Sequence, residues 1–177
     1  MIFKDRMKRL HFKGSNLQGT ILSTNMGGCF GFTMVEIMIV TSIICILASI
    51  AIPNYIAYRK KAIIAQLAAD LVNFEKAFMI YANEQGGYPN DSHIVLPDQA
   101  NMANHIDPAD WSKPTPLGGT FNWEGPDNYP YAGVSIFEGT APVKDFVLLD
   151  EYLDDGNLSQ GRFRLTPNGR YTYIIDE

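Results

Sequence analysis

A single carboxylate stands inside a long apolar run near the start of the chain. The run extends from Phe32 to Ile52, and Glu36 is its only ionisable side chain apart from Cys45. A carboxylate in hydrocarbon is costly unless it takes up a proton or meets a cation. The run contains no cation of its own, so the residue types predict an ion pair with an outside group. One candidate is a new α-amino group, made by cutting the chain just before the run.

A second group of carboxylates lies towards the C-terminus and comprises Asp150, Glu151, Asp154 and Asp155. If these residues end a helix, positions 150 and 154, and positions 151 and 155, are like-charge neighbours that repel each other. Carboxylates there also oppose the helix dipole. A calcium ion would relieve both effects, because it prefers hard oxygen ligands. The spacing matches no standard calcium loop, so a solvated acidic cap is the alternative.

The other polar and aromatic residues give no sign of catalysis. His93 and His105 lack a nearby cysteine or acid at metal-ligand spacing, so we expect them at the surface. The sequence contains neither a glycine-rich phosphate loop nor a nucleophile elbow, and we do not expect an enzyme. Trp123, Tyr129 and Tyr131 could stack on a carbohydrate, but core packing is the simpler interpretation.

Charge is divided unevenly along the chain. Residues 1–31 carry a net charge of +4 and residues 32–87 a net charge of zero. Residues 88–177 carry five basic and 14 acidic side chains, a net charge of −9. An acidic C-terminal part disfavours direct nucleic-acid binding, which needs basic residues to displace counterions. No cysteine follows Cys45, so this part can form no internal disulfide, and the cysteines do not reveal the compartment.

The apolar run is long enough, as a helix, to cross a bilayer core about 30 Å thick. It is too long for an ordinary cleaved secretory signal, so a plain signal anchor is the simplest hypothesis. The basic front weakly favours a cytoplasmic N-terminus. Arg59, Lys60 and Lys61 follow the run and predict either a membrane-interface anchor or a contact with an acidic residue of a neighbouring subunit.

A resemblance explains the isolated carboxylate better than a signal anchor does. Gly31 and the following residues FTMVE closely resemble the processing site of type IV pilins and type II secretion pseudopilins. The resemblance implies that a prepilin peptidase removes a leader of residues 1–31 and N-methylates Phe32. It implies that Glu36 neutralises the amino terminus of a neighbouring subunit during assembly. Pro53 stands where family members carry a helix-bending proline. A start at Met7 would shorten the leader, which is longer than many.

The resemblance also implies partners and a location. We expect a single-pass inner-membrane protein with a cytoplasmic N-terminus and an exported head, which polymerises with other pilin or pseudopilin subunits through an inner-membrane assembly platform. A type II secretion pseudopilus is favoured, because the head lacks a disulfide and the helix exit Gly-Tyr-Pro is similar to that group. Major pseudopilins also use calcium to order such a head. A surface pilus for adhesion, motility or DNA uptake is the alternative within the family, and a monomeric anchored binding domain is the alternative outside it.

The spacing of apolar residues along the chain predicts the helices and strands that position these residues. The stem, residues 32–87, is predicted to be one helix from Phe32 to about Glu84, membrane-spanning over 32–52 and amphipathic after Pro53. Its predicted packing face is the set Ile63, Ile64, Leu67, Leu71, Phe74, Phe78 and Tyr81. The head, residues 88–177, is predicted to be an antiparallel sheet packed on this helix, which is an α+β fold. Its predicted elements are a short helix at 98–105, strands at 120–124 and 131–137, a helix at 142–153, and strands at 162–165 and 171–175 joined by Asn168-Gly169.

Overall fold

The computed structural model describes residues 31–177. Residues 1–30 lie outside the described residues, and with them almost all of the predicted leader, the alternative start at Met7 and Cys29. The described residues divide into two units, with the boundary between Ile43 and Ile44. The helices are α1 (Met34–Gln85), α2 (Gln99–Met102), α3 (Pro108–Trp111) and α4 (Val143–Leu153). The strands are β1 (Thr120–Glu124), β2 (Ala132–Phe137), β3 (Phe163–Leu165) and β4 (Tyr171–Asp176). A long apolar N-terminal helix with a small antiparallel sheet confirms the predicted α+β fold.

Helix α1 runs without interruption through Pro53 and ends where Gly86 adopts a φ of 80°. A left-handed residue cannot continue the helix, and glycine takes that conformation without strain. The buried residues of α1 follow the i, i+3, i+4, i+7 spacing of one face, and they are Ile64, Leu67, Ala68, Leu71, Phe74, Ala77, Phe78 and Tyr81. The predicted packing face is thus confirmed, except that Ile63 is 38% exposed and lies at its margin.

Two single-turn helices occupy the segment between α1 and the sheet. Helix α2 falls inside the predicted range 98–105, whereas α3 was not predicted. The Asp107 side chain caps α3 by accepting the Ala109 N–H at 2.8 Å, and Pro108 takes the first helical position. Both are standard start signals, and they place Trp111 in the core.

The four strands form one antiparallel sheet in the order β1-β2-β4-β3. The C-terminal strand β4 is therefore central, and it pairs with β2 on one side and β3 on the other. Gly169, with a φ of 82°, completes the predicted Asn168-Gly169 turn between β3 and β4. All four predicted strands are present, with bounds that differ from the prediction by at most one residue.

Aromatic rings join α1 to the sheet. Phe78 stacks on Trp123 with ring centroids 3.8 Å apart, and Phe74 meets Phe121 edge-on at 4.9 Å. Trp123 is fully buried and its indole N–H donates to a backbone carbonyl at 3.0 Å. Tyr131 is also buried. Core packing, rather than a carbohydrate-stacking surface, is therefore confirmed for these two residues.

A buried carboxylate at the end of β1 ties the sheet together. Oε1 of Glu124 accepts hydrogen bonds from Asn168 at 2.8 Å and Arg170 at 3.2 Å. Oε2 accepts from Tyr131 and Thr172, both at 3.0 Å. Arg170 supplies the positive charge that a carboxylate with no exposed surface needs. This network links β1 to β4 and to the β3–β4 turn.

The two outer strands of the sheet offer little free backbone. Strand β3 has three residues. On the outer side of β1, the Trp123 N–H donates to the Ser92 carbonyl at 3.3 Å, and the Ser92 N–H donates to the Trp123 carbonyl at 3.4 Å. Pro114 forms a further bridge with Thr120. These contacts close most of the edge to other strands.

Lys60 has a partner within the chain. Its Nζ lies 2.6 Å from Oδ1 of Asp145, a buried carboxylate in the first turn of α4. This ion pair accounts for one of the three basic residues after the apolar run. Arg59 and Lys61 remain exposed, so both predictions made for the basic group stay open for them.

Candidate functional site

The start of α1 is organised around Glu36. The Thr33 N–H and hydroxyl both donate to Oε2 of Glu36 at 2.8 Å, and the Glu36 N–H donates back to the Thr33 hydroxyl at 3.2 Å. This reciprocal arrangement is a capping box, in which residues three apart satisfy each other's free helix-end groups. The sequence reasoning missed Thr33, although the pattern T-x-x-E was available to find it.

The predicted processing residues lie just outside the helix. Gly31, Phe32 and Thr33 precede the first helical residue, Met34. Phe32 is 82% exposed, and no atom of residues 31–177 lies within 4 Å of the position that a Cβ on Gly31 would occupy. The backbone at residues 31 and 32 is therefore non-helical and open, which is the form that a peptidase needs.

The first half of α1 presents an unburied apolar surface. One 18-residue window of the helix is apolar enough to cross a membrane, and none of it is buried. The hydroxyls of Thr41, Ser42 and Ser49 donate to carbonyls three or four residues earlier, so these polar groups are satisfied within the helix. Such a surface needs lipid or other apolar helices to cover it.

Three of the four residues in the predicted acidic group come close together. Carboxylate oxygens of Asp150, Asp154 and Asp155 lie within 4.8 Å of one another, where α4 ends. Glu151 is exposed and is not among the converging carboxylates. Asp150 lies in the last turn of α4, and Asp154 follows it by four residues at the end of the helix, a spacing that brings two side chains together.

Asp150 is the unusual member of this cluster. It is completely buried, and neither of its carboxylate oxygens has a donor at good hydrogen-bond geometry among the described residues. Burial, followed by the charges of Asp154 and Asp155, raises the pKa of Asp150 from 3.8 to about 6, although the nearby N–H groups of Gly156 and Asn157 oppose the rise. Above that pH, Asp150 carries a buried charge that no cation of the described residues neutralises.

The loop after α4 shapes the cluster. Oδ2 of Asp154 accepts the Arg162 N–H at 2.5 Å, and Asp155 accepts the Asn157 N–H at 2.8 Å. Gly161 has a φ of 82°, and a Cβ on it would collide with the Asp154 carboxylate. The loop thus leaves room for a carboxylate that a larger residue would displace.

These residues fit a divalent cation. Three carboxylates supply hard oxygen ligands, and the two unpartnered oxygens of Asp150 are the groups that a cation would satisfy. Asp150, Asp154 and Asp155 are the side chains that could hold calcium.

Comparison with known proteins finds partial similarity to pilins and pseudopilins. Over 60 residues the chain is 37% identical to type II secretion system core protein G of Pectobacterium carotovorum subsp. carotovorum, covering 34% of this chain and 38% of that protein. It is 40% identical over 57 residues to prepilin peptidase-dependent protein D of Escherichia coli, covering 32% and 39%. It is 41% identical over 56 residues to the type IV wide pilus major component PilA4 of Thermus thermophilus, covering 30% and 43%. These relatives are pilins and pseudopilins, and they support the resemblance of the chain to that family.

The match to these family members is partial. The pilin-like chain spans about two fifths of the length of these relatives. No family model matches it, and no solved structure matches it. The relatives are structural pilins and pseudopilins rather than enzymes. Together with the unburied apolar helix, they fit a membrane-anchored protein that forms a periplasmic or surface filament.

Proposed function

We propose that the chain is a structural subunit of a type II secretion pseudopilus, which assembles through the apolar half of α1 to support protein export. The observation that carries this proposal is a membrane-length helix that is unburied and begins with one carboxylate, Glu36. Relatives named type II secretion system core protein G support the choice of system. The apolar surface would be covered by lipid before assembly and by neighbouring stems afterwards.

The precursor is cut between Gly31 and Phe32 by a prepilin peptidase, which then methylates the new amino terminus of Phe32. This proposal covers the leader of residues 1–31. Its support is the FTMVE motif and the exposed, non-helical backbone on both sides of the bond. The protein then lies in the inner membrane with its N-terminus in the cytoplasm and residues 88–177 exported. The basic front of the sequence supports this orientation.

Glu36 pairs with the new α-amino group of a neighbouring subunit. In the single chain the Glu36 carboxylate accepts two hydrogen bonds from Thr33, but these do not neutralise its negative charge. The ammonium group of a neighbouring subunit would neutralise it, and a subunit in the wrong register would leave the carboxylate without a counter-ion. Pro53 removes one backbone donor from α1 and allows the stem to bend where it meets other subunits. The inner-membrane assembly platform is the expected partner for this step.

Calcium orders the loop that follows α4. Asp150, Asp154 and Asp155 would hold the ion, which supplies positive charge to a buried carboxylate without a partner. A solvated acidic cap is the alternative.

Replacing Asp154 and Asp155 with Asn should abolish the calcium-dependent rise in melting temperature. Glu151→Gln is the matched control, because Glu151 lies outside the converging set, and it should keep that rise. A wild-type protein whose melting temperature does not respond to calcium would exclude the ion.

The proposal is tested first by intact-mass and N-terminal peptide analysis of protein purified from membranes. We expect a chain that begins at methylated Phe32. Glu36→Gln, which keeps the side-chain shape, should still insert into the membrane but form no filaments. Ser42→Ala is the control in the same apolar segment and should assemble normally. An unprocessed chain in cells with active peptidase, or normal filaments from Glu36→Gln, would favour a monomeric anchored binding domain.

A surface type IV pilus is the second candidate, because PilA4 of Thermus thermophilus is also a relative. The two candidates differ in the location of the filament, periplasmic or on the cell surface, and in the process that is lost when the subunit is absent. Deletion of the gene should stop secretion of exported enzymes while leaving surface pili intact. Loss of surface pili, adhesion, motility or DNA uptake with normal secretion would favour the pilus. The acidic head, with a net charge of −9, makes direct DNA binding by this subunit unfavourable.

A further inference from the structure

Arg162 connects the acidic loop to the stem helix. Its backbone N–H donates to Oδ2 of Asp154 at 2.5 Å, at the point where the loop returns to the sheet. Its guanidinium group forms an ion pair with Oε1 of Glu75 on α1. One residue therefore contacts the acidic cluster through its backbone and the stem through its side chain.

Glu75, the stem residue that binds Arg162, is held in place by a second contact. The Glu75 side chain is only 15% exposed, and its second oxygen accepts the Tyr173 hydroxyl at 2.8 Å. Burial, followed by that hydrogen bond, raises the pKa of Tyr173 to about 12, so the phenol stays protonated and remains a donor. The Arg162 guanidinium lies over the Tyr173 ring at 4.8 Å from its centroid, and its Nε donates to the Ile174 carbonyl at 3.3 Å.

The geometry of the guanidinium explains why arginine occupies this position. It satisfies a carboxylate, a ring face and a backbone carbonyl at the same time, which the single ammonium group of a lysine cannot do. The backbone of Arg162 is held by two contacts, because its carbonyl accepts the Ile174 N–H at 2.7 Å and its N–H donates to Asp154. Since Asp154 supplies one of these contacts, its position affects the Arg162 backbone and, through the side chain, the contact with Glu75.

We propose that Arg162 is a positioning residue that couples binding of a divalent cation in the acidic loop to attachment of that loop to the stem helix through Glu75. This inference rests on the cation site proposed above. A cation that draws Asp150, Asp154 and Asp155 together fixes Asp154, and Asp154 then fixes Arg162 against the stem. Because coupling between sites is reciprocal, a loop released from Glu75 binds the cation more weakly.

The test measures calcium affinity by calorimetry on the full chain in detergent, after removal of bound metal with EGTA. The variants are Arg162→Gln, Glu75→Gln and the double variant. Each single variant should weaken calcium binding about five-fold or more. The double variant should be no weaker than the poorer single variant, because both changes break one link. Lys113→Gln removes an exposed ion pair elsewhere in the head and should bind calcium like the wild type.

Hydrogen exchange distinguishes coupling from a merely structural role. In the wild type, calcium should slow exchange in the loop 154–162 and also in α1 around Glu75. In Arg162→Gln, calcium should still protect the loop but leave α1 unchanged. Arg162→Lys, which keeps the charge, should show partial protection of α1, and it provides a second measurement if the Gln variant does not fold.

The outcomes separate the two proposals. If the wild type binds no calcium, the cation site and the coupling are both wrong. If the wild type binds calcium and both single variants bind it equally well, the cation site stands and the coupling is wrong. Additive losses in the double variant would also overturn the coupling, because they would mean that Arg162 and Glu75 act independently.

Discussion

Replacing Asp150 with Asn should have opposite effects on stability in the absence and the presence of calcium. Without calcium, the wild type holds a buried charge whose pKa is raised from 3.8 to about 6. Each pKa unit corresponds to about 1.4 kcal/mol, so the penalty at pH 7.5 is about 3 kcal/mol. A buried amide without a partner costs about 1 kcal/mol or more. The Asn variant should therefore be more stable than the wild type by about 1 to 2 kcal/mol.

The pH dependence of this difference follows from the direction of the shift. Between pH 4 and pH 6 the folded state holds more protons at Asp150 than the unfolded state. The wild type therefore loses stability as the pH rises through this window, and its penalty is complete above about pH 6. Below about pH 4 both states are protonated at Asp150, so the advantage of the Asn variant should disappear.

Tryptophan fluorescence during urea unfolding is the suitable assay, because Trp111 and Trp123 are both buried in the head and report its unfolding in the intact chain. Measurements in EGTA and in saturating calcium should give opposite orders of stability. At a calcium concentration of 100 times the dissociation constant, the wild type gains about 2.7 kcal/mol that the variant cannot gain. Glu151→Gln is the control and should follow the wild type in both conditions.

The reasoning would be refuted by an Asn variant that is less stable than the wild type in EGTA by the same amount at pH 7.5 and pH 4. That result would mean that the Asp150 carboxylate is satisfied within the protein and that no cation is needed. An equal response of both proteins to calcium would exclude Asp150 as a ligand.

Three further substitutions test other buried contacts by unfolding of the full chain. Arg170→Met should destabilise the protein by about 3 kcal/mol, because it leaves the charge of Glu124 buried without a cation; an unchanged urea midpoint would contradict this role. Lys60→Met should lower stability by only about 1 kcal/mol, since Lys60 is 44% exposed, and a loss that persists in high salt would point to packing rather than to its charge pair with Asp145. Gly161→Ala should cost about 1 to 2 kcal/mol and weaken the calcium response, because the φ of 82° strains any Cβ; melting with and without calcium measures both effects, and an unchanged response would argue against the shape proposed for the loop.

Features that depend on neighbours in the sequence were predicted well. The apolar and amphipathic halves of α1 and the strand Thr120–Glu124 appear where periodicity placed them. The end of α1 at Gly86 follows from local backbone chemistry in the same way. The α3 helix and the Thr33 capping box also had local signals, an Asp-Pro start and a T-x-x-E pattern, and could have been found.

Contacts between distant parts of the chain could not be predicted. Arg162 and Glu75 are 87 residues apart, and Arg170 and Glu124 are 46 apart, so no spacing rule brings them together. The order β1-β2-β4-β3 is likewise a tertiary result. The acidic group at the end of α4 shows both what could and what could not be predicted from the sequence. Its position at a helix end was correctly inferred from the sequence, but the complete burial of Asp150 depends on how the sheet and α4 pack.

The short, covered edges of the sheet affect the behaviour of many heads held side by side. In the proposed filament, identical heads lie along a common axis at a local concentration far above that of the free protein. A long open strand on each head could join its copy on the next one and form aggregates instead of an ordered polymer. The three-residue β3 and the Ser92 bridge on β1 remove most of that opportunity. Growth of the polymer is then left to the stems, where the subunits can be matched in register.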